Sequence, residues 1–149
     1  MVAWSEFKDA APTLASEGER LLERDGISQG YLATVRNAEP PRIHPVHVGV
    51  VDGALYTFIL RSAKRTDLEA DGRYALHAFQ DPAAPSEFSV RGRARRIDDL
   101  AVRSTVAASW SFEIDAGYAL FELSVERAVL GARRDADEWP PRYTSWAAG

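Results

Sequence analysis

Four consecutive residues, Arg61-Ser62-Ala63-Lys64, put two cations and a hydroxyl between an apolar run and a short polar helical segment. A strand-to-helix boundary leaves backbone N–H groups unpaired, and the helix dipole favours negative charge there. Two cationic side chains and one hydroxyl added to such a turn suit a phosphate; a solvated turn is the plainer reading of the same spacing. Lys64 stands out further because Lys8 is the only other lysine in a chain of 18 basic residues.

The remaining chemistry-bearing residues form no familiar reactive set. His44 and His47 lie three apart on a strand and so face opposite sides. With His77 as the third histidine, no cysteine and no carboxylate cluster, no metal site is expected. A packed or cofactor-facing imidazole is the favoured reading of these histidines. No Gly-x-Ser-x-Gly, P-loop or glycine-rich dinucleotide pattern occurs, so no catalytic residue is assigned. Arg91, Arg93 and Arg95 share one strand face, followed by Arg96. The net charge of −4 and the lack of interleaved aromatics argue for a solvated face or the rim of an anion site, and against nucleic acid.

The elements that must carry these residues can be read from periodicity. Residues 1–24 suggest two helical pieces, with Trp4 and Phe7 on one face and Pro12 opening the second piece, where Leu14, Gly18, Leu21 and Leu22 form a stripe. Asp25-Gly26 reads as its stop. Six strands are expected: 31–36, 42–51 with an edge or bulge at Pro45, 54–60 after an Asp52-Gly53 hairpin turn, 73–79, 87–97, and 118–132 with a bend. Short helices are expected over 64–71 and, capped by Asp98, to about Trp110. Residues 135–149 are expected as a tail that docks through Trp139, Tyr143 and Trp146. This is one mainly β (α+β) domain over 1–149: a six-stranded antiparallel split barrel with flanking helices, its edges removed by closure.

In order and spacing, several stretches between about Leu21 and Trp110 resemble the pyridoxamine 5′-phosphate oxidase-like FMN-binding split barrels. They are Arg42-Ile43-His44-Pro45-Val46, Asp52 to Phe58, Arg61 to Lys64, Asp67 to His77 and Glu87 to Ala94. The resemblance implies a homodimer with FMN at the subunit interface. It implies that Ser62 and Lys64, with Arg61 nearby, hold the phosphate. Arg42, Ile43 and His44 would line the ring system, and Thr57 and Phe58 would touch it. Glu87 would reach it from the partner chain, where some members carry glutamine. Trp110, Phe112, Tyr118 and Phe121 are expected to supply aromatic surface to the dimer.

No histidine follows His77, and the arginine-histidine element that binds the vitamin B6 phosphate is missing, so B6 oxidation is not expected. The implied function is an FMN-dependent oxidoreductase acting on a small molecule, with NAD(P)H as a candidate donor. The alternatives are a reductase using 8-hydroxy-5-deazaflavin (coenzyme F-420) and a non-catalytic flavin- or haem-binding protein. The composition, 46% apolar and 27% charged, is that of a globular protein. With no cysteine, no signal-like start and no run long enough to cross a bilayer, a cytoplasmic protein without membrane contact is expected.

Overall fold

The computed structural model describes residues 1–149. Two helices open the chain, α1 (Trp4–Ala10) and α2 (Pro12–Leu22). Pro12 sits in the first turn of α2, where its missing N–H costs nothing. Trp4 Nε1 and Lys8 Nζ both donate to the Glu19 carboxylate, tying α1 to α2. Leu14, Ala15, Gly18 and Leu22 form the buried stripe of α2.

Nine strands follow: β1 (Glu23–Arg24), β2 (Ile27–Thr34), β3 (Arg42–His47), β4 (Gly49–Val51), β5 (Ala54–Ile59), β6 (Arg73–Ala78), β7 (Glu87–Ile97), β8 (Ala119–Ala132) and β9 (Arg142–Ala147). Helix α3 (Ala63–Ala70) lies between β5 and β6, and α4 (Leu100–Ala108) between β7 and β8. All pairings are antiparallel, in the order β1-β2-β6-β7-β8-β5-β4, with β3 on β2 and β9 on β8. β3 and β4 are consecutive, parted only by Val48, whose N–H bonds to Ser28 O at 3.0 Å. One stretch of chain therefore serves both ends of the sheet, which curls into the split-barrel shape.

The expected count of six strands is corrected. The 42–51 strand divides at Val48, where it leaves β2 for β5. The tail supplies β9, and Glu23–Arg24 adds β1. Seven of the nine strands have six residues or more. Asp25-Gly26 does not stop a helix; both residues have positive φ and turn β1 into β2, as Asp52-Gly53 turns β4 into β5. The cap of α4 is Asp99, not Asp98: its side chain accepts from Ala101 N and Val102 N.

The bend expected in the last strand is a bulge. Arg91 pairs with Arg127 and Gly92 with Val125, leaving Glu126 unpaired. A Cβ on Gly92 would lie 1.9 Å from Ser124 O, so the close crossing there requires glycine.

The main core fills the curled sheet and the face of α1 and α2, with Trp4, Phe7, Leu32, Phe88, Phe121 and Leu123 fully buried. A smaller one lies between α4 and the outer side of β5, around Tyr56, Phe58 and Val106. Of the four aromatics expected at a dimer surface, Phe121 alone is corrected, and Phe112 remains 37% exposed. Phe121 belongs to the main core, Trp110 packs edge-on against Phe58, and Phe112 packs edge-on against His47. No helix is long and apolar enough to cross a membrane.

Candidate functional site

The loop after β5 begins where a wholly buried strand ends at the exposed Leu60. Ser62 is extended and caps α3: its Oγ donates to Leu60 O (2.9 Å) and accepts from Arg65 N (3.3 Å). Arg65 is committed to Glu69 Oε1 (2.8 Å) and Gly117 O (3.3 Å), whereas the Arg61 and Lys64 side chains have no hydrogen bond or ion pair. Two uncompensated cations thus stand at the N-terminal turn of α3, where free amides and the helix dipole already favour an anion.

One helical turn on, Asp67 is the centre of a charged network. Its side chain is only 1% exposed. It accepts from Thr34 Oγ1 (2.9 Å) on β2 and from Arg42 Nε (3.0 Å) on β3. Arg36 Nε lies 3.6 Å from its other oxygen, and Glu39 Oε2 pairs with both Arg42 (3.3 Å) and Arg36 (3.6 Å). The network joins α3 to the β2–β3 hairpin and offsets the charge of both arginines. Sequence reasoning missed Asp67; the available signal was its place beside Leu68 on the one face of a charged helix that can meet the sheet.

His44 lies near this group, with Nε2 buried and without a partner. Burial, then the charges of Lys64 and Arg42, hold its pKa below the ordinary value, against an opposing pull from Asp67. Because Asp67 of α3 holds Arg42, the helix start that carries Lys64 is fastened beside the strand that carries Arg42 and His44.

The other expected site residues separate from these. Thr57 is fully buried and donates to His47 O at 2.8 Å. Phe58 is enclosed by Trp110, Tyr118 and the Arg103 guanidinium. Ile43 is 67% exposed on the outer side of β3. Glu87 starts β7 opposite Gly131, and accepts from Tyr143 OH at 3.0 Å. Nine residues of extended chain, on the order of 30 Å, separate it from Arg96, which meets Glu69 of α3 at 2.9 Å, so Glu87 and Lys64 of one protomer do not meet.

His44 and His47 do face opposite sides, His47 towards Phe112. A cleft of about 190 Å³ beside the Val48 break is lined by Ser28, His47, Gly49 and Trp110, away from Lys64. No group of three His, Asp or Glu side chains is placed to hold a metal ion.

Solved structures share this architecture. A candidate pyridoxamine 5′-phosphate oxidase from Listeria innocua superposes with a TM-score of 0.59 at 16% identity, over 76% of this chain and 94% of its own. A FAD-binding protein from Mesorhizobium loti gives 0.57 at 19%, over 79% and 91%. The chain has the split-barrel fold of pyridoxamine 5′-phosphate oxidase-like proteins.

A haem-binding protein from Mycobacterium smegmatis carries the split barrel too, with a TM-score of 0.62 at 19% identity over 87% of this chain. This chain spans only 57% of that protein's length. Neither a family model nor a curated protein matches the sequence. A phosphate-bearing cofactor fits the donor set of this split barrel, because Arg61 and Lys64 are cations without counter-charges at a helix start.

Proposed function

We propose that this split barrel binds FMN and acts as an oxidoreductase on a small molecule. Arg61, Lys64 and the first amides of α3 hold the phosphate, and Ser62 shapes the turn. The observation that carries the reading is the pair of uncompensated cations at the start of α3 on a fold whose neighbours include a FAD-binding protein. FMN supplies the redox chemistry when bound; the protein orients it and shields it from water. Arg42, neutralised by Asp67 and Glu39, contributes a fixed polar edge and little net charge. The cysteine-free chain is compatible with a cytoplasmic setting.

A homodimer is part of the proposal. The outer faces of β2, β3, β6 and β7 present Tyr31, Ile43, Pro45, Ala75 and Ser89, bordered by Arg73, His77, Arg91 and Arg93, and each of these strands carries its core residues on the opposite face. Tyr31 is 46% and Ile43 67% exposed. Such a face suits a twin subunit. Two copies would also let Glu87 of one subunit approach the site of the other.

The M. smegmatis neighbour supports a second reading, in which a flat tetrapyrrole is bound without catalysis. Absorbance spectra after adding FMN, coenzyme F-420 or haem separate these readings. Saturable FMN binding that needs Lys64 supports the first; a haem Soret shift with no FMN binding replaces it with the second.

A further inference from the structure

We propose that anion binding at the start of α3 is coupled to protonation of His44, so that the site takes up a proton together with its ligand. The inference rests on the phosphate reading of Arg61 and Lys64. His44 lies on the inward side of β3: Ile43 and Pro45 on the other side are exposed, while Val46, two residues on, is buried. Its cross-strand partner on β2 is Leu32, which is apolar and fully buried. Asp67 fastens α3 to Arg42, two residues before His44, at 3.0 Å, and Lys64 lies three residues before Asp67 on the same face of α3, so Arg42, Lys64 and Asp67 are the charged groups acting on His44. Arg36 and Glu39, in the β2–β3 connection, enter only through Asp67 and Arg42. The buried Nε2 has no acceptor to stabilise a cation.

These groups differ in one respect. Arg42 already has Asp67 and Glu39 as counter-charges, whereas Lys64 has none. A dianion beside Lys64 supplies the missing negative charge and offsets the part of the lowering that Lys64 causes, while burial, the largest cause, stays in place. The coupling is reciprocal: if the anion favours the imidazolium, the imidazolium favours the anion. Binding raises the His44 pKa, so anion affinity is greatest below the pKa of the free protein. It falls as pH rises through the higher pKa of the complex, and levels off above it. While one proton is linked, the fall is at most about tenfold per pH unit.

The chain has three histidines, so their ring protons can be followed individually by NMR, with His44→Gln identifying His44. Three probes separate the causes: FMN, riboflavin (the same ring system without phosphate), and sulfate, a dianion that does not titrate in this range. FMN and sulfate are expected to shift the His44 titration upward, and riboflavin to leave it in place. Lys64→Met is expected to raise it in the ligand-free protein and to cancel the further rise with sulfate. Calorimetry of sulfate binding in two buffers of different ionisation enthalpy is expected to show proton uptake that His44→Gln abolishes. A His44 titration that stays put in protein saturated with FMN overturns the proposal and leaves the phosphate reading standing. Failure of both FMN and sulfate to bind overturns the phosphate reading, and this one with it.

Discussion

Lys64 carries the sharpest expectation at the scale of single residues. A charge-assisted hydrogen bond to phosphate contributes about 1.5–3 kcal/mol, so Lys64→Ala is expected to weaken FMN binding by roughly tenfold to a hundredfold. Fluorescence titration measures this, with Lys8→Ala as the control; Lys8 is held by Glu19, remote from α3. Lys64→Arg is expected to fall between the two, because a planar fork fills a compact site differently. Ser62 belongs to a different account. Its hydroxyl is spent on Leu60 O and Arg65 N, so Ser62→Ala is expected to cost about 1 kcal/mol of stability as a lost cap, read by urea unfolding, with a smaller effect on FMN affinity than Lys64→Ala. Asp67→Ala is expected to do both kinds of damage. It strands Thr34 in the core and frees Arg42 and Arg36, at about 1–3 kcal/mol of stability for the orphaned groups, and it loosens α3 from β2.

At the scale of elements, two contacts decide how helices and tail meet the sheet. A Cβ on Gly18 would stand 2.2 Å from the Phe88 ring, at the point where α2 presses on β7. Gly18→Ala is therefore expected to destabilise by about 1–3 kcal/mol, as overpacking does, although alanine favours an isolated helix; thermal unfolding measures the sign. The tail is held differently. Arg142, then Arg134, hold the Glu138 carboxyl down to about 2 from 4.5. A carboxylate whose folded pKa is depressed lends stability that is whole above 4.5 and lost as pH falls towards 2. The protection of β9 amides relative to their intrinsic exchange rate is expected to fall over that window before that of β7. Protection that falls equally in both strands would show that Glu138 does not fasten β9.

The whole molecule raises the question of what covers the open face of the sheet. If a twin subunit does, light scattering at micromolar concentration gives the mass of a dimer. Ile43→Asp is then expected to yield a folded monomer, since Ile43 is already 67% exposed in the single chain. A monomeric wild type at that concentration, or an unchanged mass in Ile43→Asp, would count against this face as the interface.

What the sequence determined by itself follows from local rules. Asp52-Gly53 and Pro12 act through backbone conformation within a few residues, and both landed where expected. Alternation placed β7 at its full extent and put His44 and His47 on opposite sides. The Arg61–Lys64 turn was legible because a strand ending, a cap and a helix start are all short-range features. Tertiary structure decided the rest, because it depends on partners distant in sequence. Val48 breaks its strand only because β2 and β5 lie on different sides of it. Phe121 is core and not surface because of what lies across the sheet. Residues 142–147 are a strand because β8 has a free edge beyond β5, which a reading of the tail alone does not reveal. Asp67 is the clearest case. In sequence it is one more acid in a charged helix, and only the approach of α3 to the β2–β3 hairpin makes it a buried anchor for two arginines.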